Sequence, residues 1–262
     1  MSTVAEARLA VDDVTIRFGG VVALDSVNFS VTPGHFLGVI GPNGAGKTTL
    51  FNVITRLYTP TSGDVTWGGQ SLLKLPPHRV VGLGIARTFQ NVALFPNMTV
   101  LDNVLVGQHA RMGAGVIEAA LSLPRSGREE RQARQRAMEA LERVELPHLA
   151  QRLAAGLPYS TLKRVELARA IVSNPRLLLL DEPAGGLNRE AVSELTGLLR
   201  RLHAELDLTI LLVEHFMALV MAVSNQVVVL DFGRKIAEGT PAEIQNDPAV
   251  IHAYLGVPDA PA

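Results

Sequence analysis

The segment Gly41 to Thr49 of this 262-residue chain, GPNGAGKTT, constrains everything around it. A short apolar run, Phe36-Leu37-Gly38-Val39-Ile40, precedes it, and a helix-like stretch, Leu50-Phe51-Asn52-Val53-Ile54, follows. Strand, glycine loop and helix stand in that order, and Gly41, Gly46, Lys47 and Thr48 fill the G-x-x-x-x-G-K-T spacing of a phosphate-binding loop. Glycines let the backbone turn so that successive N–H groups point inward at phosphate oxygens. The helix behind presents its positive N-terminal end to the same anion. In such a loop Lys47 reaches the β- and γ-phosphates, and the Thr48 hydroxyl takes one Mg2+ position. The competing reading, a chance glycine-rich turn before a helix, leaves the complete spacing and both flanks unexplained.

Polar residues at three further strand ends fit the same chemistry. Arg176 to Glu182, RLLLLDE, is a continuous apolar run ending in two carboxylates. Such a run is expected to form a parallel strand buried on both faces. Two acids at its carboxyl end are costly unless used or paired. The bland reading of Asp181 is a cap for the next helix; in a phosphate-loop enzyme these acids belong where Mg2+ sits. Thr209 to Val213 is another apolar strand, with Glu214-His215 at its end, and Ile85 to Gln90 is a strand ending in Gln90. A lone Gln is usually a solvated polar residue, and a His after a strand is often structural. Their recurrence at the face where ligands bind open sheets favours function.

Around this centre, Leu9 to Phe18 mixes apolar and polar residues near a two-residue period, as a strand does. Gly19-Gly20 turns into a second strand, Val22 to Val31, and Pro33-Gly34 is a tight turn. A small antiparallel sheet leading into the phosphate-loop strand is expected. Phe18 reads equally as a sheet-face aromatic or as a stacking platform for a base. Asp64 to Trp67 is expected as a short strand and His78 to Gly82 as a short helix. From Thr99 the spacing becomes helical, with Thr99 as cap and Asp102 three residues on. Ser126 with Glu129 is expected to cap a helix running to about Val144, with Ala133, Ala137, Leu141 and Val144 on one face. Further helices are expected over Ser160 to Val172 and Asn188 to Leu206. Asn225 to Asp231 and Lys235 to Glu238 should form a hairpin about Gly233, followed by a helical tail ending at Leu255.

Composition narrows the partners. Lys and Arg number 24 against 25 Asp and Glu, a net charge of -1, so no global basic field attracts nucleic acid or anionic lipid. Arg125, Arg128, Arg131, Arg134 and Arg136 form a basic patch, but Glu129, Glu130, Glu139 and Glu142 are interleaved, as on a solvated helix face. Without cysteine, disulfides, Cys-ligated zinc and thiol chemistry are excluded. Leu208 to Leu230 resembles a membrane span only at first sight. Glu214 and His215 interrupt it, and Ser224, Asn225 and Gln226 break the remainder, short of the roughly 18 to 20 apolar residues required. Two buried strands around a short helix are expected there. The first residues, MSTVAEARLAVDD, hold no apolar core of signal-peptide length, and a cytosolic location is the default expectation.

These ordered motifs resemble, over essentially the whole chain, the nucleotide-binding subunit of an ABC transporter. GPNGAGKTT resembles the Walker A loop and Thr88-Phe89-Gln90 the Q-loop. Leu157 to Ala170, LPYSTLKRVELARA, occupies the signature position. Leu177 to Pro183, LLLLDEP, is similar to a Walker B strand with its catalytic glutamate. Gly185-Gly186-Leu187-Asn188 falls at the D-loop and Val213-Glu214-His215 at the switch histidine. Finer features resemble the ATP-binding subunits of branched-chain amino-acid importers: RFGG at Arg17 to Gly20, the LPY start, AGGLN at Ala184 to Asn188, the stretch from Val213 to Pro241, and the terminal AYLG.

The resemblance implies an α/β fold: a P-loop NTPase (RecA-like) core with an N-terminal antiparallel β subdomain and an inserted α-helical subdomain. Residues 1–94 and 161–262 would form the nucleotide-binding lobe, and residues 95–160 the helical subdomain leading into the signature. The implied activity is Mg2+-dependent ATP hydrolysis coupled to transport. By position, Phe18 stacks on adenine, and Gly41, Pro42, Asn43, Gly44, Ala45, Gly46, Lys47, Thr48 and Thr49 hold phosphates. Thr48, Gln90 and Asp181 hold Mg2+. Glu182 is the general base for the attacking water, with His215 at the γ-phosphate and Gln90 completing the catalytic set. Tyr159, Ser160 and Thr161 act on the ATP of a second ATP-binding subunit, a paralogue or another copy, in a head-to-tail dimer. The other implied partners are two permease transmembrane subunits, whose coupling helix the helical insertion and Q-loop grip, and indirectly an extracytoplasmic substrate-binding protein. No nucleic acid is implied. The implied location is the cytoplasmic face of the cell membrane, as a peripheral subunit.

Two motifs depart from the family pattern. The signature is usually LSGGQ, and Leu157 to Thr161 reads LPYST. Pro158 lacks an N–H and replaces a serine hydroxyl, while Ser160 stands where a glycine lets the backbone approach phosphate. The D-loop aspartate is Asn188. The expectation is a slower site where this signature is used. Other readings are a soluble ABC ATPase acting on ribosomes or DNA, an importer subunit for another small polar solute, and a regulatory module without turnover. The single cassette and short insertion speak against the first, and the intact Glu182 against the last.

Overall fold

The computed structural model describes residues 8–88, 92–108 and 124–255. Strands β1 (Leu9–Phe18), β2 (Val21–Val31), β4 (Ser62–Trp67) and β5 (Gln70–Ser71) form an antiparallel sheet in the order β2-β1-β4-β5. A second sheet contains β3 (Phe36–Ile40), β6 (Ile85–Arg87), β7 (Leu177–Asp181), β8 (Thr209–Val213), β9 (Gln226–Asp231) and β10 (Arg234–Gly239). Its order is β10-β9-β3-β8-β7-β6; every neighbouring pair is parallel except β9 and β10.

The four inner strands bury both faces, as their continuous apolar runs require. Successive side chains point to opposite faces, and they enter two different cores. Phe36, Ile40, Leu178, Leu180, Ile210, Leu212, Val227 and Val229 join the core under the helical segment. Leu37, Val39, Leu177, Leu179, Leu211, Val213, Val228 and Leu230 join the core shared with the antiparallel sheet and the phosphate-loop helix. Each such side chain contributes roughly 1.5–3 kcal/mol when fully buried.

Helices fill the remaining connections: α1 (Lys47–Ile54), α2 (Pro77–Val80), α3 (Val100–Val106), α4 (Pro124–Arg143), α5 (Tyr159–Ile171), α6 (Arg189–Leu206), α7 (Met217–Val223), α8 (Pro241–Asn246) and α9 (Pro248–Leu255). The expected α4 face is buried, with Ala133, Ala137, Leu141 and Val144 at most 1% exposed. Its expected start is corrected: the described part of the helix already includes Pro124, two residues before Ser126. Thr99 caps α3 as expected, its Oγ1 accepting from the Asp102 N–H at 3.0 Å. The division drawn at residues 160 and 161 passes through the first turn of α5. Leu208 to Leu230 is two buried strands around α7, and no helix of the described residues is long and apolar enough to cross a membrane.

Candidate functional site

The loop between β3 and α1 is shaped by contacts that only glycine tolerates. Gly46, the residue before α1, has φ of 100°, and a Cβ there would meet the Ala23 carbonyl oxygen at 2.6 Å. A Cβ on Gly41 would lie 2.1 Å from the Leu230 carbonyl oxygen. No side chain caps α1, so its first N–H groups remain available to an anion. Lys47 Nζ donates to the Gly41 and Pro42 carbonyls at 2.7 and 2.9 Å, which stretches the side chain back across the loop. Burial pushes the Lys47 ammonium below the ordinary lysine range, and the Glu182 and Glu214 carboxylates pull it back. A phosphate placed here would oppose the burial effect in the same way. The C-terminal helix also reaches the loop: burial pushes the Tyr254 hydroxyl above the ordinary tyrosine range, and the Gly41 backbone opposes that shift.

Asn43, Gly44, Ala45, Gly46, Lys47, Thr48, Thr49 and Glu182 line one cavity of about 400 Å³. Parallel pairing of β3, β8 and β7 brings Glu182 there, since it ends the same sheet edge as the loop. Its N–H donates to the Val213 carbonyl at 2.9 Å, and its φ is 45°. A left-handed glutamate is a strained residue, of the kind that surrounding structure over-determines at working sites. His215 Nδ1 lies 3.8 Å from Glu182 Oε2 and 3.5 Å from Glu214 Oε2.

Glu214 is fully buried and serves the backbone. Its Oε1 accepts from the Ala184 N–H at 2.7 Å, and its Oε2 accepts from the His215 and Phe216 N–H groups at 2.8 and 3.0 Å. It therefore ties the loop after β7 to the loop after β8. Asp181 caps nothing. Its Oδ2 accepts from Arg87 Nη2 at 2.7 Å, and its Oδ1 is buried with no hydrogen-bond partner. A buried carboxylate oxygen left unmatched costs free energy, which a hydrated divalent cation would recover. The residues present thus fit Mg2+. Among the described residues no group of three or more His, Cys, Asp or Glu could hold a metal by itself, consistent with an ion carried mostly by phosphate and water.

Gln90 lies outside the described residues; β6 is described over Ile85–Arg87. Phe18 is 46% exposed at the β1–β2 turn and packs edge-on against Tyr58, ring centroids 5.2 Å apart. It does not line the loop cavity; Val21, Val22, Ala23 and Phe232 do. Pro158 precedes α5 without a side-chain cap, and Tyr159, Ser160 and Thr161 form its first turn. Tyr159 packs on Gly186, where a Cβ would meet its ring at 3.0 Å. Asn188 caps α6, its Oδ1 accepting from the Ala191 N–H at 2.9 Å.

Sequence reasoning missed Arg87, Glu214's stitching role and Phe232. Only Phe232 left a local signal, as an aromatic at a hairpin turn just before Gly233. A larger cavity, about 590 Å³, lies elsewhere, between the β6 region and the helical segment. Leu57, Val81, Arg87, Phe95, Val106 and Arg169 are among its lining residues.

Comparisons with known proteins agree with this geometry. A family profile described as ABC transporter matches residues 24–185, and one described as branched-chain amino acid ATP-binding cassette transporter matches residues 234–260. The chain is 43% identical over 248 residues to the high-affinity branched-chain amino acid transport ATP-binding protein BraF of Pseudomonas aeruginosa, covering 95% of this chain and 97% of that protein. It resembles a crystal structure of the ADP conformation of an ATP-binding cassette of an ABC transporter, with a TM-score of 0.82, 30% identity, and coverage of 96% and 99% of the two chains. It also resembles a dimeric structure of a bacterial ABC transporter cassette, with a TM-score of 0.75, 27% identity, and coverage of 89% and 98%.

Proposed function

This chain belongs to the ABC transporter family of ATP-binding subunits, and from that premise we propose that it binds and hydrolyses ATP to energise import of branched-chain amino acids through separate permease subunits. One observation carries the ATPase reading. A phosphate loop, a carboxylate at its cavity and a histidine within 3.8 Å of that carboxylate all stand at the ends of adjacent parallel strands.

The loop backbone, the start of α1 and Lys47 hold the β- and γ-phosphates. Thr48 and Asp181 would hold Mg2+, with Gln90 as the third residue assigned to it. When bound, that ion neutralises charge on the phosphate oxygens. Glu182 accepts the proton of the attacking water, and His215 orients at the γ-phosphate. Phe18, on the β1–β2 turn, is assigned to the adenine. Tyr159, Ser160 and Thr161 complete the site of a second ATP-binding subunit in a head-to-tail dimer, as the dimeric relative supports. Residues 1–94 and 161–262 carry the nucleotide, and residues 95–160 with the 590 Å³ groove meet the permease at the cytoplasmic face of the membrane. An extracytoplasmic binding protein delivers the solute from the other side.

The substrate assignment draws on the relatives' names and on the match over residues 234–260. Uptake of labelled leucine, isoleucine and valine by a strain lacking this chain tests it; loss of uptake, restored by the gene, is expected. Normal uptake of all three with loss of another solute removes the substrate assignment and leaves the ATPase standing.

A further inference from the structure

Arg87 is the last residue of β6, and its guanidinium is almost fully buried against Asp181. Nη2 donates to Asp181 Oδ2 at 2.7 Å, while Nη1 donates to Asn52 Oδ1 at 2.9 Å and Thr55 Oγ1 at 3.0 Å. The guanidinium carbon also stands 5.5 Å from the centre of the Phe51 ring. Asn52, Thr55 and Phe51 all belong to α1, the helix that the phosphate loop opens into. One planar cation therefore spans from the loop helix to the carboxylate at the end of β7.

We propose that Arg87 is a positioning residue for the metal carboxylate: by occupying Oδ2 it fixes the rotamer of Asp181 and leaves Oδ1 as the oxygen that would be offered to Mg2+. A carboxylate with two equivalent free oxygens can rotate about its last bond. One pinned by an anchored fork cannot, and the fork's planarity supplies that restraint where a lysine's point charge does not. Nη2 is committed to Oδ2 and Nη1 to α1, and Oδ1 is left buried without a hydrogen-bond partner. The inference rests on the metal-site reading above and extends it to a residue outside the phosphate loop.

The test measures ADP binding to the purified chain by calorimetry, in EDTA and across a Mg2+ titration. Loss of a partner that orients a metal ligand typically costs about 10- to 100-fold in metal affinity. Arg87→Gln should raise the Mg2+ concentration for half-maximal enhancement of ADP binding by that factor. ADP affinity in EDTA should stay at the wild-type value, which a merely structural role would not predict. Arg87→Lys should recover part of the effect by keeping the charge. Should Arg87→Gln fail to fold, Asn52→Ala removes one support of the fork while keeping the ion pair and should shift the midpoint in the same direction by less. Asp181→Asn is the control for the site itself. If Asp181→Asn loses Mg2+ dependence while the Arg87 and Asn52 variants keep the wild-type midpoint, the Arg87 proposal is overturned and the metal site stands. If Asp181→Asn also keeps the wild-type midpoint, the metal-site reading falls with it.

Discussion

Lys47 is held between two backbone carbonyls and the field of two carboxylates, with its own desolvation working against its charge. A bound phosphate adds to the counter-charge that opposes this desolvation, so Lys47 should govern nucleotide affinity. Ligand binding stabilises by about 2.7 kcal/mol at a hundredfold excess over Kd, and this appears as a rise in melting temperature when ATP is added. Lys47→Ala should abolish that rise, and a wild-type shift would remove Lys47 from its role. Glu182 shares the cavity with the loop but stands in a strained backbone conformation. Glu182→Gln keeps its shape and removes proton acceptance. Hydrolysis should fall about 10²- to 10⁴-fold, the usual worth of general-base catalysis, with ATP binding retained. Unchanged turnover would assign the base elsewhere.

At the scale of elements, α5 and α4 lead to different tests. The first turn of α5 presents Tyr159, Ser160 and Thr161 behind a proline that has no N–H, while the helix end still offers N–H donors to an anion. With a partner subunit carrying an LSGGQ-like signature, the site completed by α5 should hydrolyse more slowly than the site using this chain's loop. Glutamate-to-glutamine changes made in one subunit at a time isolate each site, and equal single-site rates would end the idea. Helix α4 contributes through packing. Leu141 is fully buried in the core that continues to Leu178 and Leu180, so Leu141→Ala should cost about 2–5 kcal/mol, read as a lower denaturant midpoint.

The whole molecule places its chemistry on one sheet edge and its larger groove beside β6 and the helical segment. In the proposed function the two openings serve different partners, a nucleotide closed by a second subunit and a segment of the permease. In ATP, the Glu182→Gln chain should therefore accumulate as a dimer, which size-exclusion chromatography with light scattering would resolve; a monomer at saturating ATP would contradict the head-to-tail arrangement.

The sequence determined what lies within a short window. β1, β3 and β8 run over the residues their patterns predict, Leu9–Phe18, Phe36–Ile40 and Thr209–Val213, because alternation and apolar runs are local properties of a strand. The phosphate loop was legible for the same reason: its glycines, lysine and threonine are contiguous. Glu182 and His215 were legible as polar ends of apolar runs. What only the tertiary structure decided is which side chains those ends meet. Arg87 and Asp181 are 94 residues apart, and Glu214 reaches Ala184 across 30. Both contacts exist because β7 lies between β6 and β8, and strand order is set by how the two cores close, which no local period records. That Phe18 meets Tyr58 and that Phe232 lines the cavity were decided on the same grounds, since a turn's sequence fixes its bend but not the surface that packs against it.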